Sequence, residues 1–123
     1  MRDSDVYVLP SNREEGWGAV AGEAMSEGCI LLANDQAGAA RDLIIEGKTG
    51  FLFHDTDVDR LVSLIERLGQ DYPLRMRLRQ QAWERMNSLW NPRVAAERLV
   101  ALSEGLLGIS PIPNFPEGPC SKT

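Results

Sequence analysis

The chain has 123 residues, about one domain's worth, and its 43% hydrophobic and 25% charged composition is that of a globular protein in water. No apolar run approaches the roughly 20 residues that span a bilayer, so no transmembrane segment is expected. Against 13 basic residues stand 18 acidic ones, and the net charge of -5 opposes any general attraction to nucleic-acid phosphates.

The start, MRDSDVYVLP, sets charge directly against a short strand-like run, without the basic segment and apolar core of a signal peptide, and the expected compartment is cytoplasmic. Cys29 and Cys120 lie far apart, with no CxxC and a single histidine in the chain, so neither a zinc site nor a disulfide framework is suggested. Cys29 reads as a small core residue.

Val6 to Leu9 is a continuous apolar, β-branched and aromatic run ended by Pro10, the pattern of a strand covered on both faces. A polar, glycine-bearing loop follows. Ala19 to Met25 is helix-favourable, and Gly28 stands where a left-handed cap ends a helix. Ile30 to Ala33 gives a second buried strand, Ala39 to Ile45 a short helix, and Gly47 and Gly50 a tight turn before a third strand over Phe51 to Phe53. His54, just after it, reads as a surface or turn residue.

From Asp57 the period changes to helix. Val58, Leu61, Val62, Ile65 and Leu68 fall on one face, with Asp55 or Asp57 available as the cap. A second helix from about Pro73 to Met86 carries Leu74, Leu78 and Ala82, and the alternating Arg75, Arg77 and Arg79 spread around its axis as solvated surface. A third is signposted by Asn91 as cap, Pro92 at the first helical position and Trp90 as a staple onto Ala95; it runs to about Leu107. Trp83 and Trp90 read as core or staple residues. Residues 1–108 are thus one structured body, and 109–123, which hold four of the seven prolines, an irregular or disordered tail. Short apolar strands alternating with helices predict an α/β fold with a parallel sheet.

Gly16, Gly18 and Gly22 form G-x-G-x-x-x-G between a strand and a helix, which admits a dinucleotide-binding oxidoreductase reading with Asp35 as the ribose acid. That fingerprint needs its first glycine at the strand end, whereas Pro10 to Glu15 intervene after Leu9. The other reading rests on carboxylates. With a helix starting near Gly18, Glu15 lies in the loop just before it and Glu23 about a turn and a half inside. Two such carboxylates can grip separate parts of one elongated polar ligand, with the amides of Gly16 to Gly18 between them. A carboxylate accepts two hydrogen bonds from vicinal hydroxyls and glycine lets a ligand approach the backbone, so the matching ligand is a sugar nucleotide.

The stretch DVYVLPSNREEGWGAVAGEAMSEGC resembles the signature of the retaining, GT-B-fold glycosyltransferases (group 1), whose hallmark is Glu, seven residues, Glu: here Glu15, GWGAVAG, Glu23. The resemblance continues through GAARDLIIEGKTGFLF and, more loosely, WNPRVAAERLVAL. It implies a sheet of about three parallel strands with flanking helices, the C-terminal half of a Rossmann-like GT-B donor-binding domain. It implies further that Glu15 faces the donor sugar hydroxyls as the catalytic residue, that Gly16, Trp17 and Gly18 present backbone amides to sugar and phosphate, and that Glu23 holds the ribose hydroxyls.

The implied activity is transfer of a glycosyl group from a nucleotide diphosphate sugar to an acceptor hydroxyl with retained configuration, in polysaccharide or glycolipid synthesis, with neither metal nor cofactor. Where the family usually has Gly-Gly-x-Pro-Glu this chain has AGAARD, with Asp42 roughly at the position of that Glu. Relative to the family pattern the chain looks like a donor-domain fragment without the N-terminal acceptor domain, inactive alone. A non-catalytic module that binds a nucleotide sugar or associates with a partner is the alternative. In the implied sheet order Val6 to Leu9 is internal, so its unpaired edge predicts self-association.

Overall fold

A computed structural model describes residues 3–12, 14 and 16–121 of the chain. It falls into two compact units, residues 1–86 and 87–123.

The first unit is built on three parallel strands in the order β1 (Val6–Leu9), β2 (Ile30–Asn34), β3 (Gly50–Phe53). Val6 stands opposite Ile30 and Leu9 opposite Ala33; Leu31 stands opposite Gly50 and Asn34 opposite Phe53. The second strand has neighbours on both sides and all five of its residues are buried, which is why its sequence is an uninterrupted apolar run until its last position. α1 (Ala19–Ser26) connects β1 to β2, and the four-residue α2 (Ala40–Leu43) connects β2 to β3. The anticipated cap of α1 is present: Gly28 is left-handed at φ 81°, its N–H donates to Met25 O at 2.9 Å and that of Cys29 to Ala24 O at 2.9 Å.

Successive residues of a strand face opposite sides of the sheet. Ile30, Leu32, Phe51 and Phe53 form one core with Leu64, Leu68, Leu74 and Leu78, against which Val6, Val8 and Leu61 pack. On its own buried side α1 contributes Ala21, Ala24 and Met25. The helices of the first core are α3 (Val58–Gln70) and α4 (Tyr72–Ser88). Asp57, not Asp55, caps α3 by accepting from the Arg60 N–H at 3.0 Å. Leu64 and Leu68 are the buried residues of α3, Leu61 packs half-buried beside them, and Val58, Val62 and Ile65 are exposed. The apolar residues of this helix span more than one stripe, and the sheet takes the one centred on Leu64. α2 is shorter than anticipated because Ile44 is already extended, and the N–H of Ile45 donates to Thr49 Oγ1 at 2.8 Å in place of a helical carbonyl.

The arginines of α4 do not share one environment. Arg75 and Arg79, four residues apart and so on one helical face, both reach Asp5 at the foot of β1; Arg75 Nε lies 3.1 Å from its carboxylate, and Arg79 Nε also donates to Gly28 O at 2.9 Å. Only Arg77 of the three stands exposed. Trp83, anticipated as a core or staple residue, is 46% exposed and so does not belong to the core.

The second unit holds α5 (Pro92–Leu106), which begins as anticipated: Asn91 accepts from the Val94 N–H at 2.9 Å and Pro92 occupies the first turn. Residues 109–121 form neither helix nor strand. Arg98 donates to Glu117 O at 2.5 Å and Pro119 O at 3.1 Å, and its guanidinium lies 4.5 Å from the Phe115 ring centroid.

Candidate functional site

All three strands are parallel, so the loops leaving their C-terminal ends gather at one edge of the sheet, where open α/β sheets hold ligands. These are the loop from Pro10 to Gly18, the loop from Asp35 to Ala39, and His54 to Asp57. Asn34, fully buried at the end of β2, joins them. Its Nδ2 donates to Asp55 Oδ1 at 2.9 Å and, more weakly, to Pro10 O at 3.5 Å, while its Oδ1 accepts from the Gln36 N–H at 3.0 Å. Beside it His54 Nδ1 lies 3.2 and 3.3 Å from the two carboxylate oxygens of Asp35, and Asp35 O accepts from Arg41 Nε at 3.0 Å. The Asp35 carboxylate is thus engaged within the rim, where the dinucleotide reading has it open to a ribose.

The glycine-rich loop enters α1 through Gly18, whose φ of 77° and ψ of 52° are left-handed and would strain any other residue. A glycine cap brings no side-chain oxygen, so the N-cap residue itself makes no side-chain capping bond to α1. The first amides of a helix point along its axis toward whatever lies before it, carrying a partial positive charge. Asn12 shapes the approach, its Oδ1 accepting from the Glu14 N–H at 3.0 Å. Gly16 and Trp17 are exposed, with 49% of the Trp17 surface accessible.

Glu23, one turn inside α1, is exposed as well, because the buried side of this helix is set by Ala21, Ala24 and Met25. Glu15 lies outside the described residues. Of the residues predicted from the sequence, Gly16, Trp17, Gly18 and Glu23 therefore lie on the short path from the loop into α1. Among the described residues no group of three or more His, Cys, Asp or Glu side chains is arranged to hold a metal ion, and no helix is long and apolar enough to cross a membrane.

Sequence reasoning missed Asn34 and Gly38. A polar residue closing the run ILLAN was a visible sign of the first. The second acts through a contact with the glycine-rich loop: Ala39 N–H donates to Trp17 O at 2.9 Å, and a Cβ on Gly38 would stand 2.8 Å from Gly16 O.

The family model for glycosyl transferases group 1 matches residues 1–85. Among curated proteins, the chain is 44% identical over 70 residues to the sulfoquinovosyl transferase SQD2 of Arabidopsis thaliana, covering 54% of this chain and 13% of that protein. It is 28% identical over 98 residues to the capsular polysaccharide biosynthesis glycosyltransferase CapM of Staphylococcus aureus, covering 80% of this chain and 25% of that one. Among solved structures, the C-terminal domain of the group 1 glycosyl transferase LpcC from Francisella tularensis aligns with a TM-score of 0.65 at 25% identity, over 72% of this chain and 44% of that one. The chain therefore spans a quarter or less of the length of these two curated relatives. The three-stranded parallel sheet with flanking helices is the fold of this chain, and it matches part of that C-terminal domain.

Proposed function

We propose a donor-side role in glycosyl transfer, on the premise that the chain belongs to the glycosyl transferases group 1 family. In this reading the edge formed by the loops after β1, β2 and β3 receives a nucleotide diphosphate sugar. Glu23 accepts hydrogen bonds from the ribose hydroxyls, the amides of Gly16, Trp17 and Gly18 face sugar and diphosphate, and Glu15 faces the hydroxyls of the transferred sugar. The reaction served is retaining transfer to an acceptor hydroxyl, through a transition state with oxocarbenium character, in polysaccharide or glycolipid synthesis. The name of the Staphylococcus aureus relative supports the polysaccharide branch.

The observation that carries the reading is the pairing of a helix start at left-handed Gly18, a cap that brings no side chain of its own, with an exposed carboxylate one turn further on, at Glu23. The helix start favours the anionic part of a ligand and the carboxylate its vicinal hydroxyls. Those preferences are opposite in sign and adjacent in space, and a nucleotide diphosphate sugar presents both groups in one molecule.

Transfer itself requires an acceptor held in line with the donor, and loss of that orientation removes most of the rate advantage of an enclosed site. We assign the 123-residue chain donor binding without turnover. Titration with uridine, guanosine and adenosine diphosphate sugars and with NAD, followed by ligand-observed NMR, tests the reading. Saturable binding of a nucleotide sugar supports it, and saturable NAD binding with no response to any nucleotide sugar overturns it.

A further inference from the structure

We infer that Gly38 is a positioning residue for the donor loop: by lacking a Cβ it lets the loop after β2 close on the Gly16 carbonyl, and so sets where the amides of Gly16 to Gly18 point. The inference rests on the donor reading above and adds to it a residue that touches no ligand.

Two contacts hold the loops together. The Ala39 N–H donates to Trp17 O at 2.9 Å. One residue earlier, a Cβ built on Gly38 would lie 2.8 Å from Gly16 O and 3.5 Å from the Trp17 Cα. The first distance is shorter than an unbonded carbon and oxygen tolerate, and the obstacle is backbone, which cannot rotate away as a side-chain tip does. Gly38 has no left-handed φ, so its requirement for glycine is the close approach and not the conformation.

Ala39, by contrast, sits in a right-handed helical conformation at φ -74° and ψ -19° and is fully buried. A methyl group is accommodated there, whereas at Gly38 it would meet the Gly16 carbonyl. The consequence passes along the chain. Displacing the Gly16 carbonyl by several tenths of an ångström turns the peptide plane that also carries the Trp17 N–H. The Glu23 carboxylate lies beyond Gly18 on α1, and α1 is fixed by its own buried Ala21, Ala24 and Met25. A change at Gly38 therefore disturbs the part of the site assigned to sugar and diphosphate and leaves the part assigned to ribose.

The test compares the unmodified chain with Gly38→Ala, using Gly69→Ala as a control because nothing lies within 4 Å of a Cβ there. Amide spectra are recorded, and affinities measured for the diphosphate glucose and the nucleoside monophosphate of uridine, guanosine and adenosine. Gly38→Ala should shift the Gly16 to Gly18 amides and weaken the best-bound diphosphate glucose by about tenfold, while its monophosphate changes less than about twofold. A general loss of structure would weaken both alike, and that result overturns the inference, as do unmoved Gly16 and Trp17 amides.

Should Gly38→Ala fail to fold, Ala39→Pro removes the N–H to Trp17 O at a φ that proline accepts, while adding ring carbons at a buried position, and the same selective loss is expected of it. If the unmodified chain binds neither class of nucleotide, the donor reading falls and this inference with it. That outcome differs from binding that is intact and indifferent to Gly38.

Discussion

Arg60 and Glu46 close the outer edge of β3. The Glu46 carboxylate accepts from the Leu52 N–H at 2.8 Å, Arg60 Nε donates to Leu52 O at 2.8 Å, and the two side chains meet each other at 2.5 Å. An ion pair thus takes the hydrogen bonds that a fourth strand would make at this residue, a charged device of the kind that blunts sheet edges. Both side chains are nearly half exposed, so their mutual attraction contributes little; the contribution lies in occupying the Leu52 groups. Glu46→Ala should lower stability by no more than about 1 kcal/mol and speed exchange of the Leu52 amide at least tenfold relative to the amides of β2. Unchanged exchange at Leu52 would show that the edge is protected by something else.

The opposite edge is treated differently. β1 is the other edge strand of the sheet, and its Val6, Tyr7 and Val8 are only half buried. We expect the 123-residue chain to self-associate through β1, and sedimentation equilibrium should show mass rising with concentration. Substituting Glu46 should add a second mode of association, while a lysine at Tyr7 should suppress the first. A monomer across the whole concentration range contradicts this expectation.

Asn34 ties three loops from one buried side chain. Asn34→Ala leaves Asp55 and the Gln36 amide without their partner and should cost about 1–3 kcal/mol, read from urea unfolding. Asn34→Asp should cost more at neutral pH, because it sets a second carboxylate against Asp55. Equal stability of Asn34→Ala and the unmodified chain would mean that the loops are held by their backbone contacts alone.

Burial pushes the Cys29 thiol above its ordinary value, with the Arg79 guanidinium pulling the other way, and Cys29 Sγ donates to Ser4 O at 3.2 Å. The folded chain therefore holds this proton more tightly than the unfolded one. The associated stability is fully present below the ordinary thiol range, near about pH 8.5, and is lost as pH rises through the higher native value. At pH 8 iodoacetamide should label exposed Cys120 and spare Cys29 until the chain unfolds. Labelling of both at equal rates under native conditions contradicts the placement of Cys29.

Much of this architecture is legible in the residues. The runs VYVL, ILLA and FLF are each too short and too apolar for an exposed helix, and Gly28, Asn91 and Pro92 punctuate their helices by local chemistry that needs no partner from elsewhere. What was illegible depends on distant residues. The arginines of α4 alternate in sequence, but only the arrival of Asp5 at that helix separates Arg75 and Arg79 from Arg77. α3 carries enough apolar residues for more than one face, and the strands choose Leu61, Leu64 and Leu68. At the site, the Glu-x7-Glu spacing is visible in the sequence and the polar end of ILLAN marks Asn34, whereas the contacts that Gly38 and Asn34 make with Gly16, Trp17, Pro10 and Asp55 join residues distant in the chain.

Whether Glu23 receives the ribose of a nucleotide diphosphate sugar is read by saturation-transfer NMR on the unmodified chain and on Glu23→Gln. The amide keeps the size of the side chain and removes its charge, and a hydrogen bond to a charged group contributes about 1.5–3 kcal/mol. The ribose protons should saturate with the unmodified chain, that signal should be lost with Glu23→Gln, and the affinity should fall by about 10- to 100-fold. Ribose contacts and affinity that survive Glu23→Gln unchanged would contradict the ribose role of Glu23.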